Sequence, residues 1–477
     1  VTSSTAQFFV DGQFRTADAA ETVVEAATGE PLGEGAVVSE SDIDAAVAAA
    51  RRALPDWRNS SPEHRAGILN AMADALKARA KATSELVTRE NGMPIRLSRG
   101  ANGAFPALLL RYYAQLVTEV PVEEIRPSVT GHTIVRREAV GVVGAIVPWN
   151  YPQALAAMKV APALAAGCTV VLKASPETAL DALVFAEAAA EAGLPPGVLN
   201  VVSGGPAVGA ALVSHPGVDK VAFTGSTATG RLVAETCGRL MRPVTLELGG
   251  KSAAIILDDA DLDATMRGLR NASFVNNGQT CHLSSRILAP KSRYDEVVDA
   301  VAALAESMAV GDPLDPGTEI GPVVSSRQRE RVLGYIDVGK SSGARLVAGG
   351  SIPKEQPRGW FVAPTVFADV DNSDRLAREE VFGPVLTISA YDSDDEAVAL
   401  ANDTEFGLAG TVWSTDVDRA TTVARAVHTG TIGVNDYALD VRAPFGGVKA
   451  SGMGRELGPE GLEAYRTLKS IYRTGPA

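Results

Sequence analysis

VGVVGAIVPWNYPQALAAMKVAPALAAGCTVVLKAS, residues 140–175, reads as strand, helix, strand. VGVVGAIVP (140–148) is apolar throughout, too short for a helix and bounded by proline. LAAMKVAPALAAG (155–167) has helical composition and a glycine stop, and TVVLKAS (169–175) is a second apolar strand. The alternation continues with a helix in ALDALVFAEAAAEAG (179–193), a strand in VLNVVSG (198–204) and a helix in VGAALVSHP (208–216). The strand VDKVAFTG (218–225) then runs into the helix TATGRLVAETCG. Buried strands alternating with helices predict a doubly wound parallel sheet, an α/β fold. Such sheets bind ligands beyond the carboxyl ends of their strands.

Working outward, a second alternating run follows Gly250. It passes through SAAIILDDA, SSRILAP and YDEVVDAVAALAESM to TIGVND near residue 435, and predicts a second α/β lobe. Before residue 140 the text is mostly helical, with a break expected at Pro55 and a new helix from Pro62. DGQF marks a turn between short N-terminal strands. PVEEIRPSVTGHTIVRREA predicts a separate hairpin, and TLKSIYRT (467–474) a last strand whose open edge needs a cover.

Composition sets the class. At 477 residues the chain exceeds one core. It is 46% hydrophobic and 21% charged, with a net charge of −13. That balance argues against a nucleic-acid partner. No stretch reaches the roughly 18 apolar residues of a membrane span, and the N-terminus lacks the pattern of a secretory signal. Three scattered cysteines, Cys168, Cys237 and Cys281, form no disulfide framework. A reducing, cytoplasmic location follows. Cys168 and Cys237 lie in apolar text and read as core thiols. Scattered histidines make no metal site.

Two segments carry chemistry. VTLELGGKS (244–252) offers the carboxylate of Glu247, and NNGQTCHLSSR (276–286) the thiol of Cys281. A thiol can attack an electrophilic carbon, and a carboxylate can then activate water to free the product. PWNYP (148–152) offers Asn150 at a strand-to-helix turn. FTGSTATG (223–230) places Gly225 and Gly230 where a helix start would draw a pyrophosphate. EEVFGPV (379–385) and PFGGVKASGMGRELG (444–458) complete the set.

These motifs, in this order and over nearly the whole chain, resemble the aldehyde dehydrogenase superfamily. The resemblance implies NAD(P)-dependent oxidation of an aldehyde to a carboxylic acid. Cys281 would form a thiohemiacetal and then a thioester, and Glu247 would activate the hydrolytic water. Asn150 would stabilise the oxyanion, with Lys159 and Glu456 in support and Glu456 relaying protons to Glu247. Helix dipoles, the cofactor's positive charge and Glu247 would activate the thiol. Ile146, Pro148, Trp149, Lys173, Ser175, Gly225, Ser226, Gly230, Leu248, Glu380 and Phe382 would hold the cofactor. Tyr151, Met158, Thr280, His282, Leu439 and Phe445 would line the aldehyde pocket, with Arg442 able to reach its mouth.

NAD is the expected cofactor, with NADP possible. The glutamate usual three residues after the lysine is here Pro176, with Glu177 one step on. The family fold implies a cofactor domain (1–119 and 139–249) and a catalytic domain (250–463). A β element (120–138 and 464–477) would pair across subunits in a homodimer or homotetramer. A thiol esterase would need no nicotinamide site, and a coenzyme-A-dependent acylating enzyme would need no Glu247.

Overall fold

Five parallel strands form the centre of the first sheet: Val142–Ile146, Thr169–Ala174, Leu199–Ser203, Lys220–Thr224 and Val244–Glu247. The computed structural model describes residues 6–474, so residues 1–5 and 475–477 of the expected domains lie outside it. In the sheet the order runs from Val244–Glu247 through Lys220–Thr224, Val142–Ile146 and Thr169–Ala174 to Leu199–Ser203. The chain therefore starts in the middle, winds one way, and returns to wind the other. The switch point lies between Val142–Ile146 and Lys220–Thr224, which pair directly. Every residue of those two strands is buried, as the continuous apolar text requires.

The edges of this sheet come from far along the chain. Gln7–Val10 pairs antiparallel with Leu199–Ser203 and turns through Asp11 and Gly12, both at positive φ, into Gln13–Thr16. At the other edge Gly452–Met453 pairs antiparallel with Leu246 and Glu247. Residues expected in the catalytic domain thus complete the cofactor-side sheet.

The second sheet has seven strands. Ala253–Ile256, Arg286–Pro290, Thr365–Ala368, Val385–Tyr391, Gly410–Trp413 and Gly433–Val434 are parallel, and Arg345–Ala348 is an antiparallel edge. No helix among the described residues is long and apolar enough to cross a membrane.

Two local expectations are corrected. The first helix runs from Glu40 to Asn59 straight through Pro55. Pro55 faces solvent, where water can take the carbonyl left without an N–H. The helix expected from 179 begins at Leu183. Residues 180 and 181 are held by side chains instead: the Leu180 amide donates to Glu90, and Asp181 accepts from Gln153. One edge of the tail strand Arg466–Thr474 is covered within the chain. It pairs antiparallel with Gly131–Ala139 of its own chain, which pairs in turn with Glu123–Ser128. The free edges of this three-stranded sheet are the outer sides of Arg466–Thr474 and Glu123–Ser128.

Candidate active site

A cleft of about 470 Å³ opens at the switch point. The strand Val142–Ile146 leads into Pro148, Trp149 and Asn150, and Lys220–Thr224 into Gly225 and Ser226, all on its wall. Ser226 caps the helix Thr227–Arg239, its hydroxyl accepting from the Thr229 amide. The free N–H groups and positive dipole of that first turn suit a pyrophosphate. Leu248 and Gly249 continue the wall beyond the strand Val244–Glu247, and Glu380 and Phe382 close the cleft from the other lobe. Phe382, at φ 61°, stands edge-on to Trp149 with ring centroids 5.4 Å apart. Glu380 accepts from the Gly250 amide at 2.9 Å, and burial pushes its carboxyl up to about 7. A Cβ at Gly249 would lie 2.6 Å from the Glu380 carboxylate and would push that group aside. A helix start for phosphate, an acceptor for ribose hydroxyls and two aromatic walls fit a dinucleotide.

Four expected cofactor residues are off this wall. Ile146 is buried in the sheet. Gly230 lies against Leu248, where a Cβ would be 2.4 Å from a methyl group. Lys173 and Ser175 stand at the end of the next strand, where the Ser175 hydroxyl donates to Glu177. Burial pushes Lys173 down to about 8, and the Glu177 charge opposes the shift. Arg327, Gln328 and Arg331 line the cleft without having been marked in the sequence. They sit on the helix Ser326–Ser341, whose text carries no phosphate motif.

Cys281 is fixed by an unusual backbone. Asn276, Asn277 and Gly278 all have positive φ, at 56°, 59° and 77°. Asparagine tolerates this region better than most residues. Asn277 locks it, accepting from the Gly321 amide and donating to the carbonyls of Gly92 and Pro322 at 2.8 Å. Gly278 packs so closely on Gly383 that a Cβ would fall 2.0 Å from its carbonyl carbon. Asn150 is buried and spends one N–H on the Gln279 carbonyl at 3.1 Å. Its second N–H remains for a ligand. The Asn150 carbonyl is held by Asn276 at 3.0 Å and Asn91 at 3.3 Å.

The thiol of Cys281 is pushed up to about 12 by burial first, then by the charges of Glu380 and Glu247. The amides of Cys281 and His282 oppose this only in part. Cys281 follows the carboxyl-terminal ends of Leu262–Phe274 and the short turn Val275–Gly278. The preceding helix therefore presents its carboxyl-terminal, not its positive, end to the segment that carries Cys281.

Glu247 is buried with neither carboxylate oxygen hydrogen-bonded to another side chain. Burial, then repulsion from Glu456, hold it well above the usual carboxylate range. Gly446 lies over it, and a Cβ there would be 2.5 Å from an oxygen. Lys159, fully buried, pairs with Glu456 at 2.8 Å and donates to Thr224 at 2.6 Å. Glu456 is itself fixed by two backbone bonds to Phe445.

A second cavity of about 450 Å³ meets the first at Cys281 and Asn150, which line both. All six expected pocket residues lie on it: Tyr151, Met158, Thr280, His282, Leu439 and Phe445. Tyr151 and Thr280 share a hydrogen bond of 2.8 Å. His282 stacks on Tyr437 at 4.7 Å, and burial pushes it down to about 4. Stacked on that ring, the imidazole forms part of the cavity wall. Arg442 is exposed and off the lining. Leu97, Phe105 and Leu155 add to the apolar wall.

The sequence pattern of the aldehyde dehydrogenase family matches residues 14–471. The chain belongs to the aldehyde dehydrogenase family. Geranial dehydrogenase from Castellaniella defragrans is 56% identical over 472 residues, covering 98% of each chain. Human mitochondrial aldehyde dehydrogenase is 41% identical, covering 98% of this chain and 91% of that one. A Mycobacterium tuberculosis aldehyde dehydrogenase complexed with NAD+ superposes with a TM-score of 0.96 at 46% identity over 99% of both chains. Aldehyde dehydrogenase C from Pseudomonas syringae, in complex with NAD+ and octanal, superposes at 0.95 with 40% identity, covering 98% of this chain and 96% of that one. As an aldehyde dehydrogenase, the protein is an oxidoreductase that converts aldehydes to carboxylic acids with a nicotinamide cofactor.

Proposed function

We propose that this enzyme oxidises apolar aldehydes of medium chain length, with NAD as the better cofactor. The observation that carries this is the position of Cys281 and Asn150 in the shared wall of two cavities, one dinucleotide-shaped and one apolar. Leu97, Phe105, Leu155, Met158, Leu439 and Phe445 favour a hydrocarbon chain through burial of its surface. No arginine or lysine on that wall would pair with an acidic tail. The named activity of the geranial relative and the octanal in the Pseudomonas structure support the same class.

Cys281 attacks the aldehyde carbon, and its proton leaves through Glu247 or solvent. The free N–H of Asn150 and the Cys281 amide meet the oxyanion, a contribution of roughly 3–4 kcal/mol per donor in other enzymes. When bound, the cofactor supplies hydride acceptance, and its positive charge favours the thiolate. Pro148, Trp149, Gly225, Ser226, Leu248, Glu380 and Phe382 would hold it. Glu247 takes a proton from water as that water attacks the thioester. Lys159 and Glu456 hold the charge balance behind it.

Glu177 supports the preference for NAD. Its carboxylate lies beside Ser175 and Lys173, one residue later than the usual glutamate, and would repel a 2′-phosphate. The free edges of the three-stranded sheet support a homodimer or homotetramer. The unpaired, scattered cysteines support a cytoplasmic location.

The test is reduction of the cofactor, followed by its near-ultraviolet absorbance, with octanal, geranial, betaine aldehyde and succinic semialdehyde. Octanal and geranial should give the highest kcat/KM, and Cys281→Ser should abolish turnover while keeping cofactor binding. A preference for the charged aldehydes would overturn the substrate class, and near-normal turnover in Cys281→Ser the chemistry.

A further inference from the structure

The helix Pro62–Asn91 ends against the loop that carries Asn150. Its last residue, Asn91, is fully buried and lines neither the cofactor cleft nor the aldehyde cavity. Both ends of its amide are nevertheless engaged. The oxygen accepts from the Met93 amide at 3.0 Å, which fixes the way the group faces. The nitrogen then donates to two consecutive carbonyls, Trp149 at 3.0 Å and Asn150 at 3.3 Å. Among the described residues the Trp149 carbonyl has no other donor.

The helix end is itself anchored. Gly92 caps it at φ 79°, and a Cβ there would fall 2.2 Å from the Pro322 carbonyl oxygen. Asn277, four residues before Cys281, donates to the Gly92 carbonyl at 2.8 Å. On the other side Glu90 accepts from the Leu180 amide at 3.0 Å, and Asp181 accepts from Gln153, three residues beyond Asn150.

We propose that Asn91 is a positioning residue for the oxyanion step. It holds the peptide between Trp149 and Asn150, the backbone from which the free Asn150 N–H is aimed. This rests on the assignment of Asn150 as the oxyanion donor. A donor contributes only where it meets the developing charge, and a displacement of about 1 Å can cost roughly 10²-fold in rate. Without Asn91 the Trp149 carbonyl has no partner, which favours rotation of that peptide and carries the Asn150 side chain with it. Asn276 holds the Asn150 carbonyl from the other side at 3.0 Å, but it makes no bond to Trp149. Trp149 also stands against Phe382 in the cofactor cleft, so one amide fixes the oxyanion donor and a cofactor wall together. A carboxylate at position 91 would have no donor, and a leucine of similar size neither donor nor acceptor.

The test is a double-mutant cycle in the full-length enzyme at saturating NAD+. It uses whichever of the four aldehydes named above the wild type oxidises fastest, so it does not depend on the substrate class. The rate of the first-turnover burst of reduced cofactor is measured for wild type, Asn91→Leu, Asn150→Ala and the double variant. Asn91→Leu should slow the burst about tenfold or more where Asn150 is present, and less than about twofold where it is absent. If the leucine variant does not fold, Asn91→Ala takes its place with the same expectation. Urea melts of the four proteins give the control, since a purely structural defect costs stability and rate alike in both backgrounds. A smaller slowing, or one that persists beside Asn150→Ala, would overturn the role of Asn91. An undiminished burst in Asn150→Ala alone would instead strike the oxyanion assignment, and the proposal with it.

Discussion

In the protein without cofactor the Cys281 thiol is neutral at physiological pH, because burial and two nearby carboxyl groups disfavour its anion. Below a pKa of about 12 the thiolate fraction rises about tenfold per pH unit. Alkylation of cofactor-free enzyme by iodoacetamide should therefore keep accelerating up to pH 10. A plateau near the ordinary thiol value of about 8.5 would show that the site activates Cys281 by itself. Glu247 is also held above its usual range, so its base form appears only as pH rises. The rising limb of kcat with pH should report it. In Glu247→Gln, steady-state turnover should fall by roughly 10²- to 10⁴-fold. A rapid burst of reduced cofactor should survive, because acylation precedes the water step. Loss of the burst as well would mean that Glu247 also activates the thiol. Cys281, Glu247 and Asn150 were legible in the sequence because each stands in a motif. Their titration was not, since it depends on what the fold buries around them.

Among the elements, the strand Thr169–Ala174 and the short turn Pro176–Thr178 carry Lys173 and Glu177, on which the proposed preference for NAD rests. The sequence placed a proline where a glutamate is usual and implied weakened rejection of NADP. The Ser175 hydroxyl donates to Glu177, so Glu177 is the carboxylate proposed for that role. Glu177→Gln should raise the NADP-to-NAD ratio of kcat/KM by about tenfold, whereas Pro176→Glu should change it little. The reverse ranking would return the role to position 176. The parallel strands themselves were readable because full burial demands continuous apolar text. Leu97, Phe105 and Tyr437 were not readable as pocket residues. They reach the cavity through tertiary packing, and apolar residues in helices and loops look alike wherever they end up. Pro55 shows the converse error: an exposed proline can stay in a helix that packing holds in place.

For the molecule as a whole, a buried acid pair ties the helix Pro62–Asn91 to the helix behind Asn150. Asp181 accepts from Gln153, Glu90 accepts from the Leu180 amide, and both carboxyls are fully buried. Burial pushes Asp181 from 3.8 up to about 7. The folded state thus binds this proton more tightly than the unfolded chain. Its contribution to stability is complete below about 3.8 and is lost as pH rises towards 7. Asp181→Asn should gain stability relative to wild type between pH 4 and 7, read from paired urea melts. A difference that does not change with pH would refute the assignment. Ile125, Leu468 and Tyr472 are exposed on the three-stranded sheet, beside its free edges. Light scattering at micromolar concentration should give a dimer or tetramer, and a monomer would contradict it.

The closing strands also bear on how the chain is made. Gly452–Met453 completes the edge beside Glu247, and Arg466–Thr474 pairs with a strand synthesised hundreds of residues earlier. Glu456, the partner of Lys159, lies between them. On the ribosome, the first lobe can gather its parallel strands while its rim and the buried ion pair are still unmade. Those long-range pairings carry a large loop-closure entropy and form slowly. Catalytic competence is therefore a late event in the life of the polypeptide.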